Sequence, residues 1–163
     1  MKRASLLILL LFFSGVAWGD NELANKSRLA SAQDLFGEWE MSCQKNGNLI
    51  PNSDPYIMPY QRFYFFPDGY VKNIALNEPF DQQALSIWRM APKSSQYRLK
   101  AAGEVFIKGS SGDITSIRVV VITQDLEESM IPGASTLKKG DLFLSYFTPD
   151  NKIYLERCLG KIK

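Results

Sequence analysis

The sequence predicts an all-β protein: an eight-stranded antiparallel up-and-down barrel preceded by a short N-terminal helix or arm. Three observations predict it. Runs with period-2 alternation recur along the chain, separated by turn signals at short, regular spacing. No long amphipathic helical pattern divides them, which argues against a parallel α/β sheet. The two cysteines, Cys43 and Cys158, fall in the first and last strand-like runs. A bond between them sets those strands side by side, closes the sheet and removes its edges. A two-sheet sandwich is the competing arrangement. The hairpin-short connections and the cysteines favour the barrel.

Residues 1–19 read as a secretory signal peptide. Lys2 and Arg3 give a positive start, and Leu6 to Phe13 is an unbroken apolar run. Ala17 and Gly19 are small residues at the −3 and −1 positions of a cleavage site before Asp20. The run falls short of the ~20 residues of a spanning helix. No further long apolar run follows, so no integral membrane segment is expected after cleavage. The protein is expected to be periplasmic or secreted. Lys2 and Arg3 are two of the 19 basic residues, so the exported chain carries 17 against 17 acidic ones. A neutral chain with interspersed signs is not built to hold nucleic acid by charge.

Export gives the cysteines their meaning. Two of them, far apart in an oxidising compartment, are most simply one disulfide. Closing so long a loop stabilises by roughly 4–5 kcal/mol on chain-entropy grounds. Free thiols and a metal site are the alternatives. With no histidine in the chain, two cysteines fall short of a structural zinc set.

Residues 20–34 are polar, with Leu23, Leu29 and Ala30 giving a weak helical period. They form the arm, and residues 35–163 the barrel domain. Leu35 to Cys43 is the first strand, with Gly37, Trp39, Met41 and Cys43 on one face and Glu38, Glu40 and Ser42 on the other. Gln44 to Tyr60 is a long connection with three prolines but several large apolar residues. Arg62 to Phe66 and Tyr70 to Leu76 form a hairpin around Pro67-Asp68-Gly69. Ala84 to Met90 is read as the fourth strand and Gln96 to Ile107 as the fifth, with Gly103 at a bulge or bend. Ile114 to Thr123 is the sixth and most β-branched. Gln124 to Asp141 is a second long connection. Leu142 to Phe147 and Ile153 to Cys158 pair across Pro149-Asp150-Asn151.

Gly37-x-Trp39 in the first strand, Phe63-x-Phe65 leading into Asp68-Gly69, and Arg157 in the last strand together resemble the pattern of bacterial lipocalin-like, calycin-type domains. The resemblance covers Leu35 to Cys158. It implies a barrel whose closed end is plugged by Trp39, with Arg157 packed across the indole as a structural partner, and a lid made by the loop after the first strand. One departure follows from alternation. Trp39 and Cys43 share a face, whereas Arg157 and Cys158 lie on opposite faces. Both contacts require a bulge or a twisted strand end, or one of them is absent.

No enzyme is expected. Without histidine, Ser-His and Cys-His pairs are missing. Glu38 and Glu40 are read as a solvated outer face. Asp125, Glu127 and Glu128 lack a calcium-loop spacing, so no metal and no cofactor are expected. Two functions remain. The first is a binding protein for a small apolar or amphipathic ligand, held at the open end by Tyr56, Ile57, Met58 and Tyr60. The second is a protein-binding module, an inhibitor or assembly factor, with a packed barrel. An eight-stranded barrel is just wide enough for either a filled interior or one small ligand, and the abundance of aromatic residues leaves both open.

Overall fold

A computed structural model of the chain describes residues 20–42, 44–45, 48–49, 60–127 and 136–162. Residues 1–19, Cys43, Tyr56, Ile57 and Met58 lie outside the described residues.

In chain order the elements are α1 (Asp20–Asn25), β1 (Ser27–Leu29), α2 (Ala32–Leu35), β2 (Gly37–Met41), β3 (Gln44–Lys45), β4 (Asn48–Leu49), β5 (Tyr60–Phe65), β6 (Tyr70–Leu76), α3 (Gln82–Met90), β7 (Ser95–Ala101), β8 (Glu104–Lys108), β9 (Ile114–Ile122), β10 (Leu142–Phe147) and β11 (Ile153–Lys161). Strands β2 and β5 to β11 form a closed antiparallel barrel of eight, each bonded to the next, with β11 returning to β2. The closing register sets Met41 opposite Leu159 and Trp39 opposite Lys161. Nearest-neighbour connections throughout make it an up-and-down barrel.

Two strand assignments are corrected. Ala84 to Met90 is not a strand but most of α3. Asp81 caps that helix, its Oδ1 accepting from the Ala84 N–H at 2.6 Å. Leu85 and Trp88, three residues apart, turn one face inward, while Ile87 (59% exposed) and Met90 (76%) face solvent. Lys72 closes the other end. Its Nζ donates to the carbonyls of Trp88 (2.8 Å), Arg89 (2.7 Å) and Ala91 (3.1 Å) at the last turn, where the Trp88 carbonyl also takes the Ala91 N–H at 3.2 Å.

The second correction is that Gln96 to Ile107 is a hairpin, β7 and β8, rather than one strand. Gly103 makes its turn at φ +72°. A Cβ there would meet Leu29 Cδ2 at 2.6 Å and the Val119 carbonyl oxygen at 2.8 Å, so glycine is required by both conformation and space. One strand lost and one gained leave the count at eight.

The N-terminal arm extends the wall. The first half of β9 pairs with β8, and β1 takes over beyond it, with Ser27 opposite Ile122 and Leu29 opposite Val120. Asp34 fastens the arm. Its carboxylate accepts from both terminal nitrogens of Arg28 at 2.7 Å and from the Ser31 N–H and hydroxyl.

Alternation builds two apolar clusters. The inner one holds Trp39, Phe65, Ile117, Leu144 and Leu159, with Leu35 of α2 buried beneath. The outer one holds Ile122, Phe143 and Cys158 on the strand backs. It is covered by Leu126 and Leu137, which bridge to each other, and by Leu23 of α1. On the outer wall Glu38 accepts from Arg62 at 2.9 Å and from Arg89 of α3 at 3.2 Å, and Arg62 also pairs with Glu40. The two carboxylates are thus tied to arginines, and the first of them anchors α3 to the barrel.

Candidate functional site

The inward faces of β5 to β11 line an open cavity of about 440 Å³. The strand order places it. β2 enters the barrel from α2, so the α2 end carries the plug. There Trp39 is buried and its indole N–H donates to the Leu35 carbonyl at 2.7 Å. The connections leaving β2, β6, β8 and β10 emerge at the other end, the mouth. Lining residues such as Gln61, Ala75, Thr115 and Tyr146 come from the mouth halves of their strands.

The lining is mixed. Phe63, Val71, Ile107, Ile117 and Leu155 supply apolar surface, and Gln61, Asn73, Ser95, Thr115 and Tyr146 supply amide and hydroxyl groups. The one charged group of the described lining is Arg157, 3% exposed, whose Nη1 donates to the Glu156 carbonyl at 3.3 Å. Each lining residue occupies an inward position in strict alternation, as in Leu155-x-Arg157-x-Leu159. Apolar walls with a few convergent polar groups are the usual composition of a small-molecule site. Hydroxyl groups are present, but the described lining has no carboxylate, and the chain has no histidine to activate them.

The wall has one short seam. β6 and β7 pair through only Tyr70 with Gln96 and Val71 with Ser95. Beyond that point Asn73 and Ala75, both facing the cavity, have no partner on β7.

Of the residues singled out in the sequence, Trp39 is at the plug and Arg157 in the cavity. Gly37 starts β2 beside Lys161, whose Nζ lies 5.2 Å from the Trp39 ring centroid. Lys161 thus supplies a cation over the indole, and Arg157 lines the cavity. Sequence reading missed Lys161, although its position opposite Trp39 follows once the last strand is run to residue 161. Tyr60 heads β5 and is half-buried; alternation gives the cavity its neighbour Gln61 instead. Tyr56, Ile57 and Met58 lie outside the described residues. Cys158 is fully buried on the outer face.

Lys72, Tyr97 and Glu156 are among the groups whose pKa values are displaced. Burial lowers Lys72 beneath the ordinary lysine value. Burial raises Tyr97, whose hydroxyl donates to the Phe66 carbonyl at 2.8 Å. Burial raises Glu156 to about 7, opposed by a hydrogen bond from Ser145. Glu156 is on the barrel's outer face, not in the cavity. Among the described residues no group of three or more His, Cys, Asp or Glu is placed to hold a metal. Asp125 instead accepts from the Lys139 N–H at 2.8 Å and from Lys138 Nζ at 3.1 Å. No helix among the described residues is long and apolar enough to cross a membrane.

No protein family, no curated protein and no solved structure matches the chain.

Proposed function

We propose that the protein is an exported lipocalin-like binding protein that takes one small amphipathic ligand into its barrel. The observation that carries this reading is the cavity of about 440 Å³ between the Trp39 plug and the mouth. It falls within the range of small-molecule sites. A protein-binding module works with a packed barrel and needs no such interior. Export is supported by the Lys2-Arg3 start, the apolar run and the Ala17/Gly19 cleavage pattern. A Cys43–Cys158 disulfide is supported by the backbone: the Ser42 N–H donates to the Cys158 carbonyl at 2.9 Å, which brings the chain to Cys158 one residue before Cys43.

Native mass spectrometry of protein purified from its own host tests the reading. The expected spectrum contains the mature chain together with a heavier form carrying one small molecule. A bare chain alone, together with failure to bind any apolar fluorophore, would count against it.

A further inference from the structure

We infer that the mouth half of β6 is an open strand edge that takes an extended, alternately apolar segment of a partner polypeptide as a further strand of the wall. This goes beyond the small-molecule reading. The groups it uses belong to the main chain, so it stands whether or not the interior holds a ligand. Three observations lead to it.

The first is the direction of the β6 hydrogen bonds. The Tyr70 carbonyl accepts from the Phe66 N–H at 2.8 Å, toward β5, and the Gly69 carbonyl accepts from the Tyr97 N–H at 2.8 Å, toward β7. Main-chain groups alternate sides along a strand, so those of Val71, Asn73 and Ala75 point toward β7. That strand begins at Ser95, opposite Val71. Beyond it, the N–H and C=O groups of Asn73 and Ala75 meet no strand and make no hydrogen bond on that side among the described residues. Such a row of donors and acceptors is a template for another strand. The second is access. Asn73 lines the cavity and is still exposed, so the slot beside it is open to solvent. The third is what the added side chains would meet. Cross-strand pairs share a face, so those opposite Asn73 and Ala75 enter a cavity whose lining includes Ile107 and Ile117. The side chain between them points outward. On that side Lys72 holds the last turn of α3 through the Ala91 carbonyl, and the helix carries the exposed apolar residues Ile87 and Met90. The free stretch is short and α3 stands beside it, which favours a single extended segment over the wall of a second barrel.

The test follows backbone amide resonances of the isotope-labelled protein, expressed in its own host. The probe is a heptapeptide of alternating valine and threonine with a lysine at each end and blocked termini. Two further forms carry N-methyl groups on the valines only or on the threonines only. The unmethylated peptide should shift the Asn73 and Ala75 amides and slow their hydrogen exchange. In β7 the N–H given to β6 is that of Tyr97, whose ring packs inward on Phe65. The inward valines should likewise supply the bonds to β6. Methylating them should weaken binding about tenfold, the effect of ~1.4 kcal/mol, while methylating the threonines leaves it unchanged. No shift at Asn73 and Ala75 with millimolar peptide, or equal weakening by both methylations, overturns the inference. Amides already protected in the free protein also overturn it. They assign the edge to a second copy if the protein sediments as a dimer, and to its own chain if it sediments as a monomer.

Discussion

Lys161 stands over the indole of Trp39, its Nζ 5.2 Å from the ring centroid, and the two residues face each other across the β11–β2 seam that closes the barrel. The plug thus joins the first strand, the last strand and α2, whose Leu35 carbonyl takes the indole N–H. Trp39→Ala should cost roughly 3–5 kcal/mol in chemical denaturation, as for other large-to-small core changes. Lys161→Met, which keeps the stem over Gly37 and removes only the cation, should cost less than about 1 kcal/mol. Equal losses for the two variants would mean that the cation, not the buried ring, closes the seam.

Lys72 is a buried cation that ends α3 by donating to three carbonyls. Lys72→Met keeps much of the stem and deletes the donors. It should destabilise by about 2–3 kcal/mol, since bonds to charged groups are the stronger ones and three carbonyls lose their Lys72 donor. Hydrogen exchange should show faster exchange confined to α3 and its flanks. A uniform increase over the whole barrel would place Lys72 in the general core instead.

Much of the barrel could be read from the chain because alternation is local. Gly37 to Met41 and the turn after Phe66 carry their own signals. Ala84 to Met90 misled because its apolar residues fit a buried strand as well as a short helix. The deciding signs were Asp81 three residues before Ala84 and the spacing of Leu85 and Trp88. The cavity was harder to see. Arg157 lies between the core residues Leu155 and Leu159, Asn73 follows Val71 and Thr115 precedes Ile117 at alternate positions, and only the closed ring shows that they converge. The telling pattern was a polar residue at an inward position on several strands at once. The apolar loop Gln44 to Tyr60 is the more conspicuous feature in the sequence, but its central residues lie outside the described structure.

Glu156 supplies a pH signature. Its carboxyl is raised by burial to about 7 from an ordinary 4.5. Between those values the folded protein keeps a proton that the unfolded chain has released, so stability should fall as pH rises through this window. Glu156→Gln should flatten the slope and stabilise above pH 7 by about 1–2 kcal/mol. That is the full shift discounted for a half-exposed group. An unchanged slope in the variant would assign the pH dependence to other groups.

If Cys43 and Cys158 are bonded, alkylation of protein isolated from its own host under denaturing, non-reducing conditions should label neither. Reduction should expose both and lower the melting temperature. Labelling of both without reductant would remove the disulfide from the account.

The central claim is that the barrel interior is a binding site, and filling it is the most direct measurement. Ala75 faces the cavity from the mouth half of β6. Wild-type protein and Ala75→Trp should be titrated with N-phenyl-1-naphthylamine, with circular dichroism confirming that both are folded. The account predicts saturable one-to-one binding in the wild type and its loss in the folded variant. Saturable binding that survives in the filled barrel, or none in the wild type, would contradict it.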